Sequence, residues 1–511
     1  MAPSSHIPVA LNPNVAWMLW DTAHERPDHP AILERAGAAS YHELRARAAA
    51  FGQLLQGIGV APGDRVAVFL ERGLDAAAAF FGAAAAGAVT VIVNETLRPR
   101  QVEHILTHAA ARALVTNADM LRRLPRALET TATLVMTENV PRVGEFTPIP
   151  RIGGDVAQII YTSGSTGLPK GVTIAHTNLW AGMRSVTSYV GVNSADRIAS
   201  LLPFSFDYGF NQLLCAVGTG ATLVIERSPV PQQVVATLRA LAVTVLPCVP
   251  PLWLQLLNVP DFCATPLSGL RAMTNTGGRL PTEAVRKLRA AHPAARLFLM
   301  YGLTEAFRAT YLDPDEVDEH PDSIGRSIPG DEIMVLREDL TLCEPGEIGE
   351  LVQRGATVAM GYWNDPEMTA KVFRPHPRRP QGAPDNERVV FSGDLVRIDE
   401  EGRLYFVGRS DKMIKTLGFR VSPDEIVDVL YASGEIVEGI VGTEPDPVRG
   451  DRIIAYVVLG AGKSLERLES FCRAELPRYM QPSRIDALES IPRTSSGKHD
   501  VNALRARPVP A

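Results

Sequence analysis

Between Tyr41 and Met300 the order helix, turn, strand recurs, and this recurrence restricts the fold more than any other feature of the chain. Its plainest instance opens with alanine, leucine and arginine at helical spacing from Tyr41 to Gly57. Pro62-Gly63-Asp64 then makes a turn, and an apolar strand follows from Arg65 to Leu70. The order returns near 101–116, 233–247 and 282–300. Such alternation predicts α/β layers with largely parallel sheets. A length of 511 residues exceeds one compact core. From about residue 330 the texture shifts to shorter strands and turns, with Glu344-Pro345-Gly346-Glu347 and Asp399-Glu400-Glu401-Gly402 as loop signals. After Arg409 a short, charged α+β unit runs toward the end. The expected organisation is a large N-terminal domain over 1–409, layered sheets plus a β-rich subdomain, and a small C-terminal domain over 410–511. The boundary lies near Arg409 to Lys412, and only the tail from Arg505 to Ala511 reads as disordered.

Hydrophobic residues make up 46% and charged residues 21%, and the net charge is −6 with no long run of either sign. That balance argues against nucleic acid or an anionic membrane as a partner. Cys215, Cys248, Cys263, Cys343 and Cys472 are scattered and never form a C-x-x-C pair, which fits a reducing cytoplasm rather than a disulfide framework. Met1 to Trp20 lacks the basic flank and apolar stretch of a secretory signal. Ala76 to Val93 is uncharged and long enough to suggest a membrane span, but it is mostly alanine and is interrupted by Gly82 and Gly87. A buried helix to about Ala86 and a buried strand from Val89 to Val93 account for it better.

The chemistry begins at Tyr161-Thr-Ser-Gly-Ser-Thr-Gly-Leu-Pro-Lys-Gly171, which follows an apolar strand, Val156 to Ile160, and is expected to precede a helix. Gly164, Gly167 and Gly171 let backbone N–H groups approach a ligand, Thr162, Ser163, Ser165 and Thr166 add hydroxyls, and Lys170 adds positive charge. This composition makes a phosphate cradle. It is not a Walker A loop, which needs G-K-[ST] at a set spacing.

The same string resembles the signature loop of the acyl-adenylate-forming superfamily: acyl-CoA synthetases, peptide-synthetase adenylation domains and firefly-type luciferases. Further segments resemble that family's motifs, in its order. Tyr301-Gly-Leu-Thr-Glu-Ala306 is similar to its adenine and magnesium motif, and Ser392-Gly-Asp394 to its ribose motif. Gly408 to Arg420 is similar to its hinge and thioester-forming segment, and Pro492-Arg-Thr-Ser-Ser-Gly-Lys498 to its C-terminal lysine motif. Asn275-Thr-Gly-Gly278 resembles, more weakly, the loop over adenine. The resemblance implies ATP and Mg²⁺ as cofactors. Thr276, Gly277, Gly278, Tyr301, Gly302, Asp394 and Arg409 would bind nucleotide beside the loop at 162–170, and Thr304 and Glu305 would hold the metal. Lys498 would be the catalytic cation. It also implies a small mobile α+β C-terminal domain that swings about Asp411, replacing Lys498 by the Gly418 region, which shapes a tunnel for the acceptor thiol. Taken alone, Glu305 also suits a helix N-terminus, Asp394 a turn and Lys498 a solvated tail.

The acyl pocket is expected along Leu202-Pro-Phe-Ser-Phe-Asp-Tyr-Gly209. Many acyl-CoA synthetases carry histidine where Phe206 falls. Phe206-Asp207 instead resembles the peptide-synthetase pattern in which the aspartate grips the substrate's ammonium group. Asp207 also suits a cap on a helix beginning at Tyr208, and the amino-acid reading is placed ahead of it. Asn211, Val249, Leu252, Trp253, Arg279, Phe307 and Arg308 are further pocket candidates, and Arg308 suits either a second carboxylate or an acidic neighbour. Gly418-Phe-Arg-Val-Ser-Pro423, by contrast, resembles the acyl-CoA synthetase version of its segment. The nearest resemblances are to stand-alone enzymes that load amino acids, including β-amino acids, onto carrier proteins in macrolactam pathways, and to exosortase-associated acyl-CoA ligases. The implied acceptor is phosphopantetheine, on an acyl or peptidyl carrier protein or as coenzyme A.

Overall fold

The computed structural model describes all residues except 1–12, 36, 125–126, 163–168, 381, 383, 385, 410–413, 417–418, 447–449, 477, 479, 495–498, 501–502 and 505–511. Among the described residues the strands form sheets of fourteen, seven and five. The largest begins as the expected parallel array. Strands Pro30–Glu34, Thr222–Ile225, Arg197–Ser200, Val245–Cys248, Ala272–Asn275 and Arg296–Tyr301 lie side by side in that order. Beyond Arg296–Tyr301 the pairing turns antiparallel through Thr310–Tyr311 and Ser323–Ser327 to Leu404–Arg409, Arg388–Ile398, Ile348–Gly355 and Asp331–Leu336. This is the β-rich region anticipated after residue 330.

The seven-stranded sheet holds Arg65–Val68, Val89–Ile92, Ala111–Thr116 and Thr133–Met136 in parallel, and its other edge is antiparallel. Helix Tyr41–Gly57 runs over the predicted span. Ser40 Oγ accepts from Glu43 N–H and the Glu43 carboxylate accepts from Ser40 N–H, a reciprocal cap that fixes its start. Helix Leu74–Ala85 is buried along nearly its whole length, and Gly87 at φ +74° turns the chain into strand Val89–Ile92. The alanine-rich stretch is therefore core. No described helix is long and apolar enough to cross a membrane. A small unit, with helices Pro423–Ala432 and Leu465–Glu475 on a five-stranded sheet, follows Arg409. The tail after Arg505 lies outside the described residues.

Candidate active site

The glycine-rich loop joins two antiparallel strands, Val156–Thr162 and Lys170–Ala175, whose last register pair is Thr162 with Lys170. The expectation of a helix directly after the loop is therefore corrected. Gly171 to Ala175 are all buried and pair with Val156–Thr162, and Val172 and Thr173 pair with Gly361–Tyr362 as well, so a strand intervenes and the helix, His176–Val190, starts later. Ser163, Gly164, Ser165, Thr166 and Gly167 themselves lie outside the described residues. Helix Pro99–His108 backs both ends of the loop: His104 Nε2 lies 3.3 Å from the Pro169 carbonyl oxygen, and His108 Nδ1 lies 2.7 Å from the Tyr161 hydroxyl. Burial, with His104 beside it, holds His108 below its ordinary range, so its ring is neutral at physiological pH.

Gly361–Tyr362 forms the outer strand of this hairpin, with Tyr362 opposite Val172. From there the Tyr362 hydroxyl donates to Glu305 Oε1 at 2.5 Å, and Ala359 N–H donates to the Glu305 carbonyl at 2.8 Å. The acidic residue of the Tyr301–Ala306 segment is thus tied directly to the hairpin that carries Lys170. Thr304 and Glu305 lie in a 3₁₀ turn immediately after strand Arg296–Tyr301.

On the neighbouring side, the Tyr301 hydroxyl donates to Asp394 Oδ2 at 2.5 Å. Burial and the adjacent Asp394 push this phenol well above its ordinary range, so it stays a donor. Arg409 Nε lies 3.5 Å from Asp394 Oδ1, and the two residues face each other across paired strands. Ser392 Oγ accepts from Asp394 N–H at 3.0 Å, fixing the turn. Thr276, Gly277 and Gly278 leave strand Ala272–Asn275, the parallel neighbour of Arg296–Tyr301, with Asn275 opposite Leu299. Gly277 sits at φ +80°, a conformation that favours glycine, and Asn275 Nδ2 donates to the Gly278 carbonyl at 3.2 Å. Thr276, Gly278, Tyr301, Gly302, Thr304 and Glu305 therefore gather at the carboxyl ends of adjacent parallel strands, where open α/β sheets bind ligands.

The acyl-side candidates sit on the next wall. Helix Asp207–Thr219 begins one residue earlier than expected, with Phe206 as its N-cap. Asp207 is buried, and its Oδ1 accepts from Tyr208 N–H at 2.7 Å, so the residue stands at the first helical position rather than capping from outside. Among the described residues Asp207 has no ion-pair partner. Phe206 packs with Leu202, Tyr208, Val249 and Leu252. The Tyr208 hydroxyl donates to the Thr274 carbonyl at 2.8 Å, joining this helix to the strand that leads into Thr276. Asn211, Trp253, Thr276 and Arg308 are buried, and each carries side-chain polar atoms without a hydrogen-bond partner among the described residues. Buried polar groups in native proteins are normally satisfied, so these orphaned atoms are candidate contacts for a polar ligand. Trp253 belongs to the large core cluster under helix Pro250–Leu257.

Arg279 is engaged by the small C-terminal unit, although its Nε is buried without a hydrogen-bond partner among the described residues. Its Nη1 pairs with Asp428 Oδ2 at 2.6 Å, on helix Pro423–Ala432 of the small C-terminal unit. Asp411, Gly418 and Lys498 lie outside the described residues. Sequence reading missed Tyr362, whose role comes from strand pairing and whose motif-free surroundings carry no local signal.

The sequence profile of the AMP-binding enzyme matches residues 19–363, and that of the AMP-binding enzyme C-terminal domain matches residues 425–498. Tyrocidine synthase 3 of Brevibacillus parabrevis is 30% identical over 97% of this chain, which corresponds to 8% of that protein. Novobiocin biosynthesis protein H of Streptomyces niveus is 31% identical over 94% of this chain and 81% of its own length. Of five other curated relatives and tyrocidine synthase 3 the chain spans only 6% to 11%. ATP-bound MatB from Rhodopseudomonas palustris superposes with a TM-score of 0.84 at 25% identity, over 97% of this chain and 98% of that one. The chain belongs to the AMP-binding enzyme family.

Proposed function

We propose that the protein is an ATP-dependent, AMP-forming ligase that activates an amino acid as its acyl-adenylate and transfers the acyl group to a phosphopantetheine thiol on a carrier protein. The observation that carries the nucleotide part is the linked set Tyr301–Asp394–Arg409 and Glu305–Tyr362, set at the strand ends beside the glycine-rich hairpin. The superposition on an ATP-bound relative supports the same reading. Asp394 accepts from the ribose hydroxyls, Thr276 to Gly278 cover the adenine, and the 162–167 loop with Lys170 holds the phosphates. Thr304 and Glu305 fit a magnesium ion: a hard cation takes one or two carboxylates together with phosphate oxygens, and Tyr362 orients the Glu305 carboxylate. When bound, that ion neutralises phosphate charge.

In the first half-reaction a substrate carboxylate oxygen attacks the α-phosphorus. The bond to the β-phosphate bridge oxygen breaks, and pyrophosphate leaves with the electron pair. No protein nucleophile takes part. Lys498 stabilises the charge shared by the carboxylate and the α-phosphate. In the second, the thiolate attacks the acyl carbon and AMP leaves. Residues 1–409 form the nucleotide and acid domain, and 410–511 form the domain that turns about Asp411 to exchange Lys498 for the Gly418 face. Asp207 supports an amino-acid substrate, because a buried carboxylate without a cation partner among the described residues suits an ammonium group. A second reading of the acceptor, coenzyme A, is favoured by the Gly418–Pro423 segment.

Pyrophosphate exchange across fatty, aryl, α-amino and β-amino acids tests the substrate class, and exchange confined to fatty or aryl acids contradicts the amino-acid reading. Supplying coenzyme A and a phosphopantetheinylated carrier protein in parallel separates the acceptors.

A further inference from the structure

Between Glu305 and Arg308 the backbone makes an abrupt reversal. Phe307 sits at φ +59° and ψ −59°, and Arg308 N–H donates to the Ala306 carbonyl at 2.6 Å. This is the strained kind of γ-turn, which a bulky residue adopts only where its surroundings impose it. Those surroundings are helix His176–Val190: a Cβ at Gly182 would lie 2.2 Å from Phe307 Cδ1, so the phenyl ring occupies the space a side chain would need. The turn separates two charged neighbours. Glu305 points to Tyr362 and the hairpin. The Arg308 guanidinium instead lies 4.8 Å from the Tyr208 ring centroid and within electrostatic range of Tyr189 and Cys215.

Arg308 is only 2% exposed, and its Nε and Nη2 have no hydrogen-bond partner among the described residues. It has no ion pair there either. A ring face offsets part of the cost of such burial, but a guanidinium away from water is strongly disfavoured unless an anion pairs with it. The identity of the orphaned atoms narrows the anion. Nε and Nη2 form one edge of the guanidinium, two parallel donors matched to the two oxygens of a carboxylate. Gly302 leaves room for the head group, since a Cβ there would lie 3.2 Å from Nη1. Tyr208, Asn211 and Cys215 fall at helical spacing on one side of their helix, and the Arg308 guanidinium lies over the ring of the first and within electrostatic range of the last. Asn211 between them presents an Nδ2 donor that is also unpartnered among the described residues. Asp207, one turn before Asn211, lies on the same side.

From this arrangement we infer that Arg308 binds a second carboxylate of the acid substrate, so that the enzyme's acid is an aminodicarboxylic acid. The inference rests on the ligase reading. The carboxylate that reacts goes to the nucleotide, the ammonium group to Asp207, and the remaining carboxylate to the Nε–Nη2 edge, assisted by Asn211.

The test compares pyrophosphate exchange by the full chain with aspartate, glutamate, their β-amino isomers and the corresponding monoamides. The expected kcat/KM for the best diacid exceeds that of its monoamide by on the order of 10²-fold or more, since a site built for a charged group rejects an analogue that strands it. In Arg308→Gln that ratio falls below about 10-fold, and Arg308→Lys, which keeps charge but lacks the two-donor edge, falls between. The same diacid should raise the thermal midpoint of the wild type and not that of Arg308→Gln, a readout independent of turnover. A wild type that prefers the monoamide or a neutral amino acid overturns the assignment and leaves the ligase standing, as does an Arg308→Gln variant that loses diacid and monoamide equally. Exchange with no acid at all overturns the ligase reading, and this inference with it.

Discussion

Asp207 carries a buried carboxylate at the start of a helix, where its Oδ1 accepts from the Tyr208 N–H. An ionised carboxylate has about four acceptor sites, so this contact leaves capacity for a ligand. Asp207→Ala should therefore weaken kcat/KM for the amino acid by about 2–5 kcal/mol, the cost of truncating one partner of a buried charge pair. The des-amino analogue, poor for the wild type, should become relatively better. If the residue only supports its helix, the variant loses about 1 kcal/mol of stability and shows no such reversal. Tyr362 offers a second test. Tyr362→Phe removes one hydrogen bond to a charged group, a loss of about 1.5–3 kcal/mol, and should raise the magnesium concentration for half-maximal exchange while leaving the KM for the acid unchanged. An unchanged magnesium requirement would detach Tyr362 from the site. Glu305 and Asp394 were singled out from the sequence because each stands inside a contiguous motif. Tyr362 was not, since its partner lies 57 residues away and is brought to it only by strand pairing.

Helix Tyr41–Gly57 was readable from its periodicity because its capping box is also local. Strand Lys170–Ala175 was not. The glycine-rich string was expected to lead into a helix, and the strand exists because Val156–Thr162 on one side and Gly361–Tyr362 on the other supply its hydrogen bonds. The same non-local logic governs helix His176–Val190, whose Gly182 holds the Phe307 ring against the turn before Arg308. Gly182→Ala should destabilise the fold by about 1–3 kcal/mol through overpacking. It should also lower kcat/KM for the acid more than for ATP, because the displaced turn carries Arg308 rather than the nucleotide contacts. Equal effects on both substrates would remove the link between this packing and the acyl side.

The division into a large and a small unit was legible as a change of texture, whereas the contacts between the units were not, because they join residues far apart in sequence. Arg279 reaches Asp428 at 2.6 Å, and helices Thr282–Ala291 and Pro423–Ala432 touch beside it. Burial pushes Asp428 up to about 6, only partly opposed by Arg279. A carboxyl with a higher pKa when docked than its usual value near 3.9 takes up a proton on docking. Docking is thus favoured by acid, fully below that usual value, and the gain is lost as pH rises through 6. Arg279→Ala should loosen the C-terminal unit at pH 7.5, seen as a larger radius of gyration by small-angle scattering, and recover compactness at pH 5. A radius that does not depend on pH in the variant would contradict this account. The activity that such docking serves is tested most directly by the fate of ATP. Purified protein with ATP, Mg²⁺ and the preferred acid should release AMP and pyrophosphate in equal amounts, with none released when the metal is chelated. Production of ADP, through an acyl-phosphate, would contradict the account at its centre.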